Sequence, residues 1–148
     1  MNKIEIIKSQ KDGLKIKDDN HRMAREGWES ISEDDVQRLK WYGLFLRNPT
    51  PGFFMLRVRI PNGISFSHQI KALCYIAKMF GNGIIDVTTR QQVQLRQLKI
   101  NDVPEVFDLL DEAGLTSSQT GMDNVRNIMG CPVAGLNPKE RIDAYPLV

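Results

Sequence analysis

The clearest hydrophobic pattern begins at Phe53. From there to Ile60 the chain reads FFMLRVRI, with Met55, Arg57 and Arg59 alternating against Leu56, Val58 and Ile60. A two-residue period puts these sets on opposite faces of a strand and leaves the arginines on the polar one. Pro61-Asn62-Gly63 then turns the chain. Between Ser67 and Phe80 the period lengthens, and Ile70, Leu73, Cys74, Ala77 and Phe80 predict the buried face of a helix. Gly81-Asn82-Gly83 ends it. Ile84–Thr89 and Val93–Leu98 predict two further strands. Asp102 and Pro104 open a second helix with a stripe of Val106, Leu109, Leu110 and Ala113, stopped by Gly114. Val125–Met129 predicts a last strand.

The order β-α-β-β-α-β over residues 53–129 is the split β-α-β pattern of ferredoxin-like folds, two helices on one face of an antiparallel sheet. The class expected is therefore α+β, a ferredoxin-like half-domain with a helical N-terminal arm. In the arm, residues 2–11 and 18–27 suit short helices. Ser32, followed by Glu33, Asp34 and Asp35, suits the start of another that runs to Gly43. Trp28 and Trp41 are expected to pin the arm to the body, since tryptophan is rarely left exposed. Pro49-Thr50-Pro51-Gly52 separates arm from half-domain, giving expected units of 1–48, 49–129 and a loop-like 130–148 that begins a further, truncated domain.

Composition narrows the function. The chain is 148 residues long, 41% hydrophobic and 26% charged, as in ordinary globular domains. Its 20 Lys+Arg against 18 Asp+Glu leave a net charge of +2, which argues against a dedicated nucleic-acid binder. Phe53 and Phe54 adjoin one another, so they do not form the base-stacking pair of RNA-binding sheets. No apolar run approaches the ~20 residues of a membrane span. Cys74 is expected in the core and Cys131 in a loop; they are far apart, and no metal site is predicted from them. His21 and His68 lack partners and are expected at the surface.

The arginines carry the candidate chemistry. If the strands form one sheet, Arg59, Arg90, Arg96 and Arg126 would converge on its uncovered face, with Thr88, Thr89, Gln91 and Gln94 as neutral partners. Guanidinium forks suit carboxylates and other oxyanions. Alternation alone also requires a polar face, and solvated arginines would satisfy it equally well.

Three runs then change that balance. LKWYGLFLRNPTPGFFMLRVRIPNG, IIDVTTRQQVQLRQL and GMDNVRNIMGCPVAGLNP resemble, in order and spacing, segments of the sulfite/nitrite reductase family. The opening KSQKDGLKIK and the segment GWESISEDDVQRLKW resemble its cyanobacterial and plastid ferredoxin–nitrite reductase branch. The resemblance implies an assimilatory oxidoreductase that carries out the six-electron reduction of nitrite to ammonia. Its cofactors would be siroheme and a [4Fe–4S] cluster, and its donor reduced ferredoxin. By motif match it implies substrate-binding, catalytic roles for Arg59 and Arg126. It implies siroheme contacts for Arg90, Arg96, Thr88, Thr89 and Gln91. The family's cluster cysteines and distal lysines lie downstream, so the expected partners include a missing C-terminal portion. A chain of this length is expected to be inactive alone. Gln97 stands where the family often has glycine, and Cys131 where small or amide residues are usual. The expected location is bacterial cytoplasm or plastid stroma. The alternatives are a ferredoxin–sulfite reductase piece, or a non-catalytic stand-alone ferredoxin-like module.

Overall fold

A computed structural model describes residues 2–122, 124–125, 127–143 and 146. The alternating segments form one antiparallel sheet of β1 (Leu44–Leu46), β2 (Phe53–Val58), β3 (Ile85–Val87) and β4 (Val93–Lys99), in the spatial order β1-β2-β4-β3. Its helices are α1 (Lys3–Gln10), α2 (Asn20–Glu26), α3 (Glu33–Leu39), α4 (Ser67–Phe80) and α5 (Val103–Glu112). Leu44, Phe54, Leu56, Val58, Leu95 and Leu98 turn inward and share one core with Leu73, Ile76, Val106 and Leu110 of the two long helices. Burying each such side chain stabilises the fold by about 1.5–3 kcal/mol. The α+β ferredoxin-like architecture is thus present.

The arm belongs to the same core. Ile16, Met23 and Leu39 are buried in it, and short 3-10 segments link the arm's helices. Ser32 caps α3 by accepting the Asp35 N–H at 3.1 Å. Arg38, buried at the end of α3, pairs with Asp35 at 2.8 Å and donates to the Ile7 carbonyl at 3.2 Å. That contact fastens α1 across α3. A second cluster, Ile7, Trp41 and Met122, joins the arm to the segment after α5.

Three sequence expectations are corrected. No strand forms among the described residues of 125–129; the edge beside β2 is taken by β1, from the arm. Gly43, at φ 73°, swings the chain out of a 3-10 turn directly into β1. The loop that joins β1 to β2 is short, so this pairing closes at little entropic cost. Further along the same edge Arg59 donates its backbone N–H to Thr116 at 2.8 Å, which leaves no room there for residues 125–129. On α4 the buried positions are Leu73, Ile76 and Ala77, whereas Cys74 is exposed and Ile70 is 45% exposed. The sheet lies under the 73/76/77 side, which rotates 70 and 74 to the margin. On α5, Phe107 is buried and Leu109 only partly so.

A bulge interrupts β4. Phe54 faces Leu98 and Leu56 faces Leu95, so Arg96 and Gln97 together oppose Met55. Gln97 takes up the extra residue at φ 61°, in the left-handed region that favours glycine.

Candidate functional site

The face of the sheet away from α4 and α5 carries Phe45, Met55, Arg57, Asp86, Gln94 and Arg96. Strand register sets Arg57 against Gln94 and Gln94 against Asp86 across three strands. The hairpin between β3 and β4 forms one end. Its turn is closed by Gln91 N–H to the Thr88 carbonyl at 2.9 Å and Thr88 N–H to the Gln92 carbonyl at 2.8 Å. Gln91 sits at φ 57°, as the last residue of a three-residue hairpin loop must. The turn is braced from behind. The Asn127 amide donates to the Ile60 and Arg90 carbonyls at 2.7 and 3.0 Å, and Gln91 Nε2 donates to the Gly130 carbonyl at 3.2 Å.

This scaffold carries an open cavity of about 200 Å³ lined by Arg57, Thr88, Thr89, Arg90, Gln92 and Gln94. None of these six is acidic, and all carry hydrogen-bond donors. The Arg90 guanidinium is exposed and has no hydrogen-bond or ion-pair partner among the described residues. Gln92 is 1% exposed, and its buried Nε2 likewise lacks an acceptor among the described residues. A buried amide donor without a partner costs free energy. The arrangement suits an oxyanion or carboxylate.

The expected site residues are therefore distributed. Arg90, Thr88 and Thr89 come together here. Arg96 lies nearby but is paired with Asp86, its Nη2 donating to Gln94 Oε1 at 3.3 Å; it lines a separate recess with Arg47, Thr50 and Asn82. Gln91 turns to the other side, into a cavity of about 520 Å³ walled by Ile64, Ile70 and Val87. Arg59 donates from Nη2 to the Gln119 and Val125 carbonyls at 2.9 and 3.2 Å, while its buried Nε has no acceptor among the described residues. Arg126 lies outside the described residues.

Sequence reasoning left two cavity residues out of the candidate set. Arg57 shares its face with Arg59, so the period-two signal was present. Its Nη1 donates to the Thr120 carbonyl at 3.1 Å and its head lies 4.9 Å from the Phe45 ring. Gln92 has the same parity as Gln94 and Arg96, which placed it on the polar face. Its burial comes from the turn folding back over it, through the Gln92 N–H to Thr88 Oγ1 bond at 3.1 Å. Among the described residues no group of three or more His, Cys, Asp or Glu could hold a metal ion. No described helix is long and apolar enough to cross a membrane.

Comparison with known proteins places this geometry in context. Residues 47–113 match the family described as the nitrite/sulfite reductase ferredoxin-like half domain. The chain is 49% identical over 150 positions to a ferredoxin–nitrite reductase of Leptolyngbya laminosa, an alignment that covers 100% of the chain and 29% of the relative. It is 42% identical over 156 positions to the chloroplastic ferredoxin–nitrite reductase of Spinacia oleracea, covering 99% of the chain and 26% of that protein. The structure superposes on that of the Mycobacterium tuberculosis NirA protein with a TM-score of 0.89 at 26% identity, over 97% of this chain and 30% of that one. The chain thus spans under a third of the length of these relatives.

Proposed function

The chain belongs to the nitrite/sulfite reductase family through its ferredoxin-like half domain, and from that premise we propose that it forms part of a ferredoxin-dependent nitrite reductase and supplies a carboxylate-binding wall for siroheme. The observation that carries this reading is the donor-lined cavity at the β3–β4 hairpin, whose Arg90 head and buried Gln92 amide have no partner among the described residues.

The donor set fits the cofactor's acidic arms. Arg57, Arg90, Gln92 and Gln94 offer guanidinium and amide donors, and Thr88 and Thr89 add hydroxyls. The cavity is small and open, so it receives a carboxylate arm while the sheet face backs the ring. Bound there, siroheme supplies the electron-transfer chemistry; the protein contributes placement and field. Arg90 neutralises a carboxylate, and Gln92 fixes its orientation from below. Thr88, Thr89 and the turn that Gln91 shapes hold the same arm as Arg90, and Arg96, shared with Asp86, would hold a neighbouring one. Arg59 and Arg126 receive the anionic substrate, nitrite. Arg59 brings its buried Nε and a position fixed by two loop carbonyls. A fixed positive group there would hold the anion and stabilise the negative charge that develops on its oxygen.

A [4Fe–4S] cluster does not fit the described residues. Cys74 sits exposed on α4 and Cys131 exposed on a loop, far apart in sequence. No step here involves it. The cluster's thiolates and the docking of reduced ferredoxin belong, in this proposal, to the remainder of a longer protein in bacterial cytoplasm or plastid stroma.

Titration of the chain with siroheme, followed through the tetrapyrrole absorption band, tests the reading. The parent is expected to shift the band and saturate. Arg90→Met is expected to weaken binding by on the order of 10- to 100-fold, the equivalent of one or two charge-assisted hydrogen bonds. A parent chain that leaves the band unchanged would overturn the proposal.

A further inference from the structure

The segment after α5 crosses the end of β2 in a shape that is costly for the residues it contains. Gln119 and Met122 are both left-handed, at φ 56° and 62°. Such backbone persists in non-glycine residues only where the surroundings enforce it. On the sheet side Arg57 and Arg59 take the Thr120, Gln119 and Val125 carbonyls. On the arm side the Trp41 backbone carbonyl accepts the Gln119 N–H, and the Trp41 side chain reaches further along the segment. Its ring packs with Ile7 and Met122, and its Nε1–H donates to Asn124 Oδ1 at 2.9 Å. Asn124 in turn donates from Nδ2 to the Gly121 carbonyl at 2.6 Å, which folds the segment on itself.

Trp41 has no freedom to follow if the segment moves. A Cβ on Gly13 would lie 1.8 Å from its ring, so the arm closes over the indole with no spare space. Gly121 is equally confined, since a Cβ there would meet the Lys40 carbonyl at 2.6 Å and the Phe45 ring at 2.7 Å. The segment is therefore clamped from both sides, by guanidiniums below and an indole above.

We infer that Trp41 is a positioning residue: through Asn124 it lets the N-terminal arm hold Gln119–Met122, left-handed at both ends, in place, and so sets the rim of the anion-binding face. This rests on the proposed function for its consequence in binding, but not for the placement itself. Trp41 touches neither nitrite nor siroheme in this scheme. It acts through the segment that carries the carbonyls gripped by Arg57 and Arg59.

Hydrogen exchange at the Gln119–Met122 amides of the 148-residue chain, read beside siroheme affinity, decides it. Trp41→Phe keeps most of the ring and removes the N–H. It is expected to speed exchange at those amides about three- to tenfold, the weight of one hydrogen bond, and to lower siroheme affinity by a similar factor. Adding Trp41→Phe to Asn124→Ala should bring little more at the amides than Asn124→Ala alone, because that change already deletes the indole contact along with the tie to the Gly121 carbonyl. Asn124→Asp, which keeps an oxygen for the indole, should recover part of the effect. Trp28→Phe removes an arm indole remote from this segment and should leave its exchange at the parent rate. Unchanged exchange in Trp41→Phe, or strict additivity with Asn124→Ala, would overturn the inference. So would parent-level siroheme affinity in Trp41→Phe while Arg90→Met binds weakly, and in that case the functional reading stands. If the parent binds no siroheme, the functional reading falls and the exchange data still decide the role of Trp41.

Discussion

Arg57 of β2 with Arg59 just beyond its end, and Arg90 of the β3–β4 hairpin, are committed differently. Arg57 and Arg59 grip backbone carbonyls of the segment that follows α5. Arg90 has no such partner among the described residues; its backbone is pinned by Asn127 while its head reaches solvent. Arg96 is intermediate, paired with Asp86 on the adjacent strand. The difference arises from what passes overhead. A loop laid across the end of β2 presents carbonyls that a guanidinium can satisfy. Among the described residues no carbonyl takes up the hairpin's arginine, so its head remains available to a ligand. Residue type and strand parity alone do not separate a tie from a binding group.

The largest expected effect tests that contrast directly. Arg59→Met should cost on the order of 1–2 kcal/mol in denaturant unfolding, because the Gln119 and Val125 carbonyls lose a charged donor. Arg90→Met should stay within about 0.5 kcal/mol of the parent in the same experiment. Equal losses would erase the distinction between the two sets.

A smaller effect lies on the strand between them. Gln97→Gly removes the left-handed strain at the bulge and should stabilise the chain by about 0.5–1 kcal/mol, net of the added freedom of the unfolded glycine. The bulge turns Arg96 toward Asp86, so the variant should keep that pair. A destabilised Gln97→Gly would mean that the glutamine side chain contributes more than its backbone costs.

The smallest effect concerns the arm. The Lys11 ammonium beside Asp19 holds its carboxyl below the ordinary 3.8. Folded chains then bind fewer protons than unfolded ones in that range. The tie is fully present above 3.8 and is lost as pH falls through the lowered value. Urea midpoints compared from about pH 5 to about pH 2.5 should fall less steeply for Lys11→Met than for the parent. Parallel slopes would remove this contact from the arm's attachments. Lys11 and Asp19 are both partly exposed, so the effect is expected to be slight.

Much of this fold was legible in the sequence, for identifiable reasons. The strands at Phe53 and Val93 alternate over enough residues for a period to declare itself, and α4 and α5 have clear breakers at both ends. β1 was not legible, because Leu44–Leu46 is three apolar residues in a row with no period to read. Its pairing with β2 is what excludes the strand expected at 125–129, an outcome set by competition for one edge. The site was half legible. Parity placed the arginines on a common face, but the position of a guanidinium head depends on the acceptors within its reach. Those acceptors come from residues 116–125 and from Asp86, and no spacing rule joins them to the arginines. Gln92 was missed for the same reason, since it is a local turn that buries it.

The edge position of Leu44–Leu46 also bears on where this module can be cut. The family match begins at residue 47, just past β1. A piece excised at that point would retain every named element of the half-domain yet bare the flank of β2, a row of open backbone groups that invites a neighbouring molecule to zip alongside. The arm works as a selvedge, woven into the cloth so that its margin does not fray.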